Sequence, residues 1–181
     1  GNLPYQITGR LLEMTIPVAS KIARAVFMVQ KEVADRLAAA PAAEAYGQLS
    51  VFVQASFAVE RALIVRAGCF HPAPRVDSAV VVLRPLPTPR AVETDAFRAV
   101  VHAAFDARRK TLRNAIAGLT QSPEKKAAVE ATGIDLQRRG ALALPAREGD
   151  IRVFGQPPPG QIGADSWSVT QIGLAPYAQA E

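Results

Sequence analysis

Cysteine is nearly absent from this sequence. Cys69 stands alone among 181 residues, so neither an internal disulfide nor a cysteine-rich zinc module can form, and the composition suits a reducing compartment. A lone thiol in an apolar neighbourhood is expected to be a small core residue rather than a nucleophile. Histidine is almost as scarce: nothing near His71 or His102 completes a metal-ligand set, so both read as surface or satisfied side chains. No apolar run approaches the roughly 18 residues of a membrane span, and no basic-then-apolar leader opens the chain, so a cytoplasmic protein is expected. Gly-x-Gly is missing as well, and with it the closely spaced glycines that let a backbone approach a nucleoside. No internal repeat is found.

What is present suffices for a core. Hydrophobic residues make up 49% of the chain, ample at this length for one sizeable domain or two small ones. Lys and Arg number 21 against 16 Asp and Glu, for a net charge of +5, which suits a polyanionic partner without requiring one.

Periodicity predicts the elements. Residues 8–15 carry Leu11, Leu12 and Met14 among polar neighbours, which suits a short helix ending near Pro17. The apolar run 25–29 has the length and β-branched content of a buried strand. Residues 31–40 follow directly as a helix with Val33 and Leu37 on one face, stopped at Pro41. A strand feeding a helix is the unit of an α/β sheet. Residues 42–47 read as an exposed loop, and 48–57 as a helix with Leu49, Phe52, Val53 and Phe57 at helical spacing. Strands are expected over 59–66 and 76–83, joined by the turn-rich stretch 68–74; with no long helix between them, they should pair antiparallel. Three prolines within 84–89 mark a linker. Beyond it, Phe97, Val100, Val101, Ala104 and Phe105 make one apolar helix face with Asp95 as its cap. Further helices near 110–119 and 123–132, the latter stopped at Gly133, complete a small helical domain. Residues 141–181 contain Pro157-Pro158-Pro159-Gly160 and no period, so a poorly ordered tail is expected; Trp167 within it has no functional account.

The chemistry points to the opening stretch, Asn2-Leu3-Pro4-Tyr5. The Asn2 side-chain carbonyl and a main-chain carbonyl near Leu3 or Pro4 can accept the two hydrogens of an exocyclic amine while Tyr5 stacks on the ring that bears it. Such a grip turns the amine's lone pair toward an electrophile. Acceptors that favour a pyramidal nitrogen act in the transition state more than in the ground state, so no general base is needed before transfer. The alternative is an ordinary Pro-Tyr loop.

Five segments in order bear on that choice: Asn2-Leu3-Pro4-Tyr5, Gln30-Lys31-Glu32-Val33-Ala34, Tyr46-Gly47-Gln48-Leu49-Ser50, Phe70-His71-Pro72-Ala73-Pro74-Arg75-Val76-Asp77-Ser78 and Arg108-Arg109-Lys110-Thr111-Leu112-Arg113-Asn114. Jointly they resemble the ribosomal RNA adenine N6-dimethyltransferases, small-subunit (KsgA/RsmA) type, over residues 1–140. The resemblance implies an α/β fold: residues 1–87 as the C-terminal part of a Rossmann-like class I methyltransferase domain, a mixed sheet with antiparallel final strands. A small all-α RNA-binding domain over 88–140 and a divergent tail over 141–181 would follow. It implies N6,N6-dimethylation of adenines in small-subunit ribosomal RNA with S-adenosylmethionine as methyl donor. Asn2 would hold the amine and border the cofactor, Leu3 and Pro4 would complete the motif, and Tyr5 and Phe70 would stack on a flipped base. By itself Phe70 reads equally as a core aromatic where a strand begins. The implied partner is small ribosomal subunit RNA, with no membrane and no metal; a monomer is expected for a full-length member.

Arg108, Arg109, Lys110 and Arg113 read either as a solvated helix face or as a phosphate-binding stretch. With no acidic neighbour after Asp106, phosphate contact is the better reading. Gln30 and Lys31, at the carboxyl end of a strand, are expected to face the same cleft, and Glu32 to be structural. The family also carries a preceding segment whose glycine-rich turn and acidic residue hold the cofactor, and neither pattern occurs in this sequence. The chain is therefore expected to be an inactive fragment with the acceptor half of the site and poor cofactor binding of its own. A non-catalytic RNA-binding or ribosome-assembly factor is the alternative of a different kind, and the large-subunit dimethylases of antibiotic resistance are the rival within the class. DNA adenine methylases usually have a second proline where Leu3 stands.

Overall fold

Two compact units make up the computed structural model, Gly1–Pro89 and the part from Arg90 onward. The structure describes residues 1–107 and 109–139, so Arg108 and the expected 141–181 tail lie outside the described residues.

In the first unit, helix α1 (Thr8–Thr15) covers the predicted residues and runs on into a 3-10 segment, Ile16–Lys21, with Pro17 in its first turn. Strand β1 (Ala25–Gln30) feeds helix α2 (Lys31–Leu37) without a gap. The buried face of α2 is Ala34 and Leu37, one residue round from the Val33–Leu37 face expected. Helix α3 (Gln48–Ser56) gives way at Phe57 to strand β2 (Phe57–Val65), and strand β3 (Ser78–Pro85) closes the unit.

The sheet order is β1-β3-β2, with both neighbour pairs antiparallel. β3 is therefore central. Its alternation buries Ala79, Val81 and Leu83 completely, because α2 and α3 lie on the sheet; Val81 and Leu83 each contribute about 1.5–3 kcal/mol. Edge strand β2 is mostly exposed and is interrupted by a register shift between Arg61 and Leu63, a bulge that makes a poor template for another chain.

The loop before α3 is not wholly exposed: Tyr46 is buried. Its neighbourhood explains the Tyr46-Gly47-Gln48-Leu49-Ser50 segment as a structural joint. The buried Ser50 hydroxyl donates to Arg36 O at 2.5 Å and accepts from Gly47 N at 3.0 Å. Gln54 Nε2 donates to Leu37 O at 2.8 Å and Ala39 O at 2.9 Å. The last carbonyls of α2, orphaned by helix geometry, are thus satisfied from α3.

The described part of the second unit is helical. Helix α4 (Asp95–Asp106) buries Phe97, Val101, Ala104 and Phe105, with Val100 half-buried at the margin. Its cap is Thr94, not Asp95: Phe97 N donates to Thr94 Oγ1 at 3.1 Å, which leaves Asp95 as a first-turn acid. Helix α5 (Leu112–Ala115) is a single turn, shorter than the 110–119 expected. Ile116 O takes Leu119 N at 2.8 Å and the Thr120 hydroxyl at 3.2 Å, and those tight local bonds end the α-helical ladder. Helix α6 (Pro123–Ala131) begins at its Ser122 cap with Pro123 in the first turn, and Gly133 follows at φ 68° as the expected stop.

Candidate functional site

The opening loop is held as a strand would be. Met28 N donates to Gly1 O at 2.8 Å and Leu3 N donates to Met28 O at 3.0 Å, a parallel bridge with Asn2 between the two bonds. That bridge gives the otherwise antiparallel sheet its mixed character. Bonds on either side of Asn2 turn its own main-chain groups away from β1, and its side chain is exposed. Pro4, with no N–H to donate, ends the pairing. The Pro4 carbonyl accepts from Ile7 N at 3.2 Å and from the buried Thr8 hydroxyl at 2.8 Å, so both its lone pairs serve the turn into α1. Of the two main-chain acceptors considered for an amine, Leu3 O is the one this turn leaves over.

Tyr5, 37% exposed as a residue, begins a 3-10 turn, Tyr5–Ile7. Its hydroxyl shares a 3.2 Å hydrogen bond with Ser78 Oγ, and Ser78 is 1% exposed at the start of β3. The ring is thus pinned at its tip with much of its surface accessible. Ser78 pairs with Gln30 on one side and Val65 on the other, so Tyr5 is tied to the end of the sheet where β1 and β2 finish and β3 begins.

Phe70 reaches the same end of the sheet. After β2 the chain makes a 3-10 turn, Ala67–Cys69. Cys69 N donates to Arg66 O at 2.9 Å, Phe70 N donates to Ala67 O at 3.2 Å, and the His71–Pro72 peptide that follows is cis. Phe70 is half-buried, between the core reading and a fully displayed ring. Cys69 is exposed, which corrects the core reading: the turn faces it outward. His71 and His102 are exposed, and among the described residues no group of three His, Cys, Asp or Glu could hold a metal. No helix among them is long and apolar enough to cross a membrane.

Gln30 is half-buried at the end of β1, and Lys31 N donates to Asp77 O at 2.9 Å. The Lys31 ammonium is not idle: Nζ donates to Asp35 Oδ2 at 2.7 Å, and Arg61 pairs with the other oxygen from β2. The Lys31 bond foremost, with Arg61 beside it, holds the Asp35 carboxyl below the usual carboxylate range against the opposing effect of partial burial. Glu32 pairs with Arg36 along α2, the structural role expected of it.

In the second unit the basic stretch is not one helix. Arg109 and Lys110 lie in the turn before α5, with Lys110 N donating to Ala107 O at 2.8 Å. Thr111 is the cap of α5, accepting from Asn114 N at 3.4 Å. Residues near the end of the described part complete the cap: Leu112 N donates to Arg138 O at 2.7 Å, Arg113 N donates to Leu136 O at 3.0 Å, and Thr111 and Arg139 form an antiparallel bridge. This clamp brings Arg139 alongside Arg109 and Lys110, all exposed, an association invisible in sequence until the turn is closed. Arg113 is compensated, contrary to the reading of the stretch by its sequence neighbours: Glu130 on α6 lies 3.5 Å from its guanidinium.

For S-adenosylmethionine, the methyl donor implied by the resemblance, the described residues do not fit. A methyl added at Gly1, Gly9, Gly47, Gly68 or Gly118 would meet no atom within 4 Å, so none of these glycines lines a close cradle for a nucleoside.

Comparison with known proteins identifies the family. Residues 1–142 match the family described as ribosomal RNA adenine dimethylase. The chain is 48% identical over 144 residues to a ribosomal RNA small subunit methyltransferase A of Geobacter metallireducens, covering 77% of this chain and 52% of that protein. It is 42% identical over 150 residues to the protein of that name from Myxococcus xanthus, covering 80% and 53%. The chain thus spans about half the length of the curated relatives it matches. A solved dimethyladenosine transferase from Plasmodium falciparum shares the fold with a TM-score of 0.67 at 24% identity, over 78% of this chain and 60% of that one. The 23S rRNA methyltransferase ErmE does so with a TM-score of 0.53 at 23% identity, over 79% and 58%.

Proposed function

The chain belongs to the ribosomal RNA adenine dimethylase family, and from that premise we propose that it is the acceptor-binding portion of an enzyme that dimethylates adenine N6 in small-subunit ribosomal RNA. One observation carries the reading: Asn2 is fixed between two main-chain bonds to β1, beside an accessible Tyr5 ring pinned through Ser78. The Asn2 side-chain carbonyl and Leu3 O accept the two amine hydrogens of an adenine turned out of its stack, Tyr5 covers one face of the base and Phe70 the other. Pro4 sets the direction of the Leu3 carbonyl and closes the loop onto α1. Two acceptors holding both N–H bonds favour a pyramidal nitrogen with its lone pair outward, which lowers the barrier to transfer more than tight binding of the flat ground state would.

The family's donor, S-adenosylmethionine, would supply an electrophilic methyl group, and Gly1, Gly9, Gly47, Gly68 and Gly118 make no close cradle for it. Gln30 and Lys31 border the acceptor end of the sheet and contact RNA there. Arg109, Lys110 and Arg139, with Arg108 beside them in sequence and Arg113 partly held by Glu130, bind phosphates through the second unit.

One second reading, a catalytically silent RNA-binding or ribosome-assembly factor, rests on the exposed Arg109, Lys110 and Arg139 that the clamp at α5 puts together. Transfer of label from S-adenosylmethionine to unmethylated small ribosomal subunits separates the two. We expect no label from the chain alone, and label at adenine N6 when the chain is joined to the preceding half of the Geobacter metallireducens relative. Retained subunit binding with no label in either case would favour the silent reading.

A further inference from the structure

We propose that Asp77 and Ser78 are positioning residues that set the two stacking aromatics, Tyr5 and Phe70, against one another from a single dipeptide. The inference rests on the acceptor-site reading above and names how that site is held. Three bonds carry it. Ser78 Oγ shares the 3.2 Å bond with the Tyr5 hydroxyl. Asp77 Oδ1 accepts from Ala67 N at 2.9 Å. Asp77 O accepts from Lys31 N, also at 2.9 Å.

Ala67 is the residue on which the Phe70 turn closes, since its carbonyl takes Phe70 N. The Asp77 carboxylate therefore fixes the first amide of the turn from which Phe70 projects, and the next residue fixes the tip of Tyr5. Both partners sit where β3 begins. Ser78 is 1% exposed and is flanked in register by Gln30 and Val65, so it cannot shift without disturbing both neighbouring strands. The tip of Tyr5 is tied to Ser78 and the first amide of the turn that carries Phe70 is tied to Asp77, so both aromatics are referred to adjacent residues where the central strand starts. The effect on a base is one of pre-organisation: less ordering remains to be done when the base enters.

The test uses the full chain and a short single-stranded RNA carrying one 2-aminopurine, whose fluorescence is quenched by stacking, alongside overall RNA binding by the same variants. Tyr5→Ala and Phe70→Ala should each abolish saturable quenching. Asp77→Ala should weaken it roughly tenfold, as loss of a hydrogen bond to a charged acceptor does. Asp77→Asn, which keeps an oxygen for Ala67 N, should restore most of it. Ser78→Ala should weaken quenching about fivefold. Because Ser78 acts through the Tyr5 hydroxyl, Ser78→Ala should add nothing once Tyr5 is already Phe. Overall RNA affinity should stay within about twofold in the Asp77 and Ser78 variants, the phosphate contacts being untouched.

Unchanged quenching in Asp77→Ala and Ser78→Ala, with quenching lost in Tyr5→Ala and Phe70→Ala, would overturn the positioning role and leave the acceptor site standing. Unchanged quenching in Tyr5→Ala and Phe70→Ala would overturn the acceptor-site reading, and the positioning role with it. Failure of Asp77→Asn to restore quenching, together with a lowered melting temperature, would make Asp77 a stability residue and overturn its part of the proposal.

Discussion

Asn2 is where a change of a few atoms should separate chemistry from binding. Its main chain is fixed by the Gly1 and Leu3 bonds to Met28, and those bonds do not involve its side chain. Asn2→Ala therefore removes an acceptor from the amine and leaves the loop in place. In the chain joined to a relative's preceding half, methyl transfer to small subunits should fall by at least about a hundredfold, the usual scale for one pre-organised acceptor or donor at a reacting centre. Subunit binding should change less than about twofold, since phosphate contacts dominate affinity. Equal losses in binding and transfer would show instead that the side chain holds the loop. The neighbouring Pro4 shows how a residue-level ambiguity is resolved by geometry: sequence alone leaves two carbonyls open, and the bonds from Ile7 N and Thr8 Oγ1 to Pro4 O leave one.

The elements were legible wherever a local pattern decided them. Thr8–Thr15, the strand from Ala25 and the helix from Gln48 follow from spacing and breakers. What could not be read depends on partners far along the chain. Thr94 takes the capping role because its hydroxyl meets Phe97 N, although Asp95 beside it is as good a cap by residue type. The turn at α5 is shaped by carbonyls of Leu136 and Arg138, which no window around residue 112 contains. The site divides the same way: Asn2-Leu3-Pro4-Tyr5 is contiguous and was visible, whereas the Tyr5–Ser78 bond spans most of the first unit. One cross-element tie is open to titration. Asp35 joins α2 to β2 by accepting from Lys31 and Arg61, and these hold its carboxyl below the usual range. A carboxyl lowered in the folded state contributes stability above its unfolded pKa and loses it as pH falls through the folded pKa. The contribution is at most about 1 kcal/mol for each exposed partner. Carboxyl NMR titration should show the Asp35 midpoint rising in Lys31→Met, and rising less in Arg61→Met. The stability gap between Lys31→Met and the parent chain should narrow under acid. An unmoved midpoint in Lys31→Met would mean that the ion pair does not persist in solution.

Across the whole molecule the excess of positive charge is confined to residues 1–139, the remainder being net acidic. Several of the cations are answered locally: Lys31, Arg36, Arg61, Arg84, Arg98 and Arg113 each lie within ion-pair distance of a carboxylate. Among the described residues, Arg109, Lys110 and Arg139 have no such pairing, and the clamp at α5 puts them together. A cation already bound to a carboxylate releases few counterions from RNA, because the pair must first be broken; an unanswered cation releases them fully. The salt dependence of RNA binding should therefore follow pairing and not the mere count of basic residues. Replacing Arg109 and Lys110 together by Ala should reduce the slope of log K against log salt by about 1.4, at roughly 0.7 per phosphate contact on single-stranded RNA. Arg139→Ala should remove about one further contact on the same scale. Arg113→Ala should move the slope by less than Arg109→Ala does, since Glu130 already holds its guanidinium at 3.5 Å. Binding isotherms of the full chain at several salt concentrations measure all of this. An unchanged slope in the Arg109, Lys110 double variant would return the turn before α5 to an ordinary solvated surface. An Arg113 effect equal to that of Arg109 would show that RNA displaces Glu130, which would make that ion pair part of the binding equilibrium instead of a bystander to it.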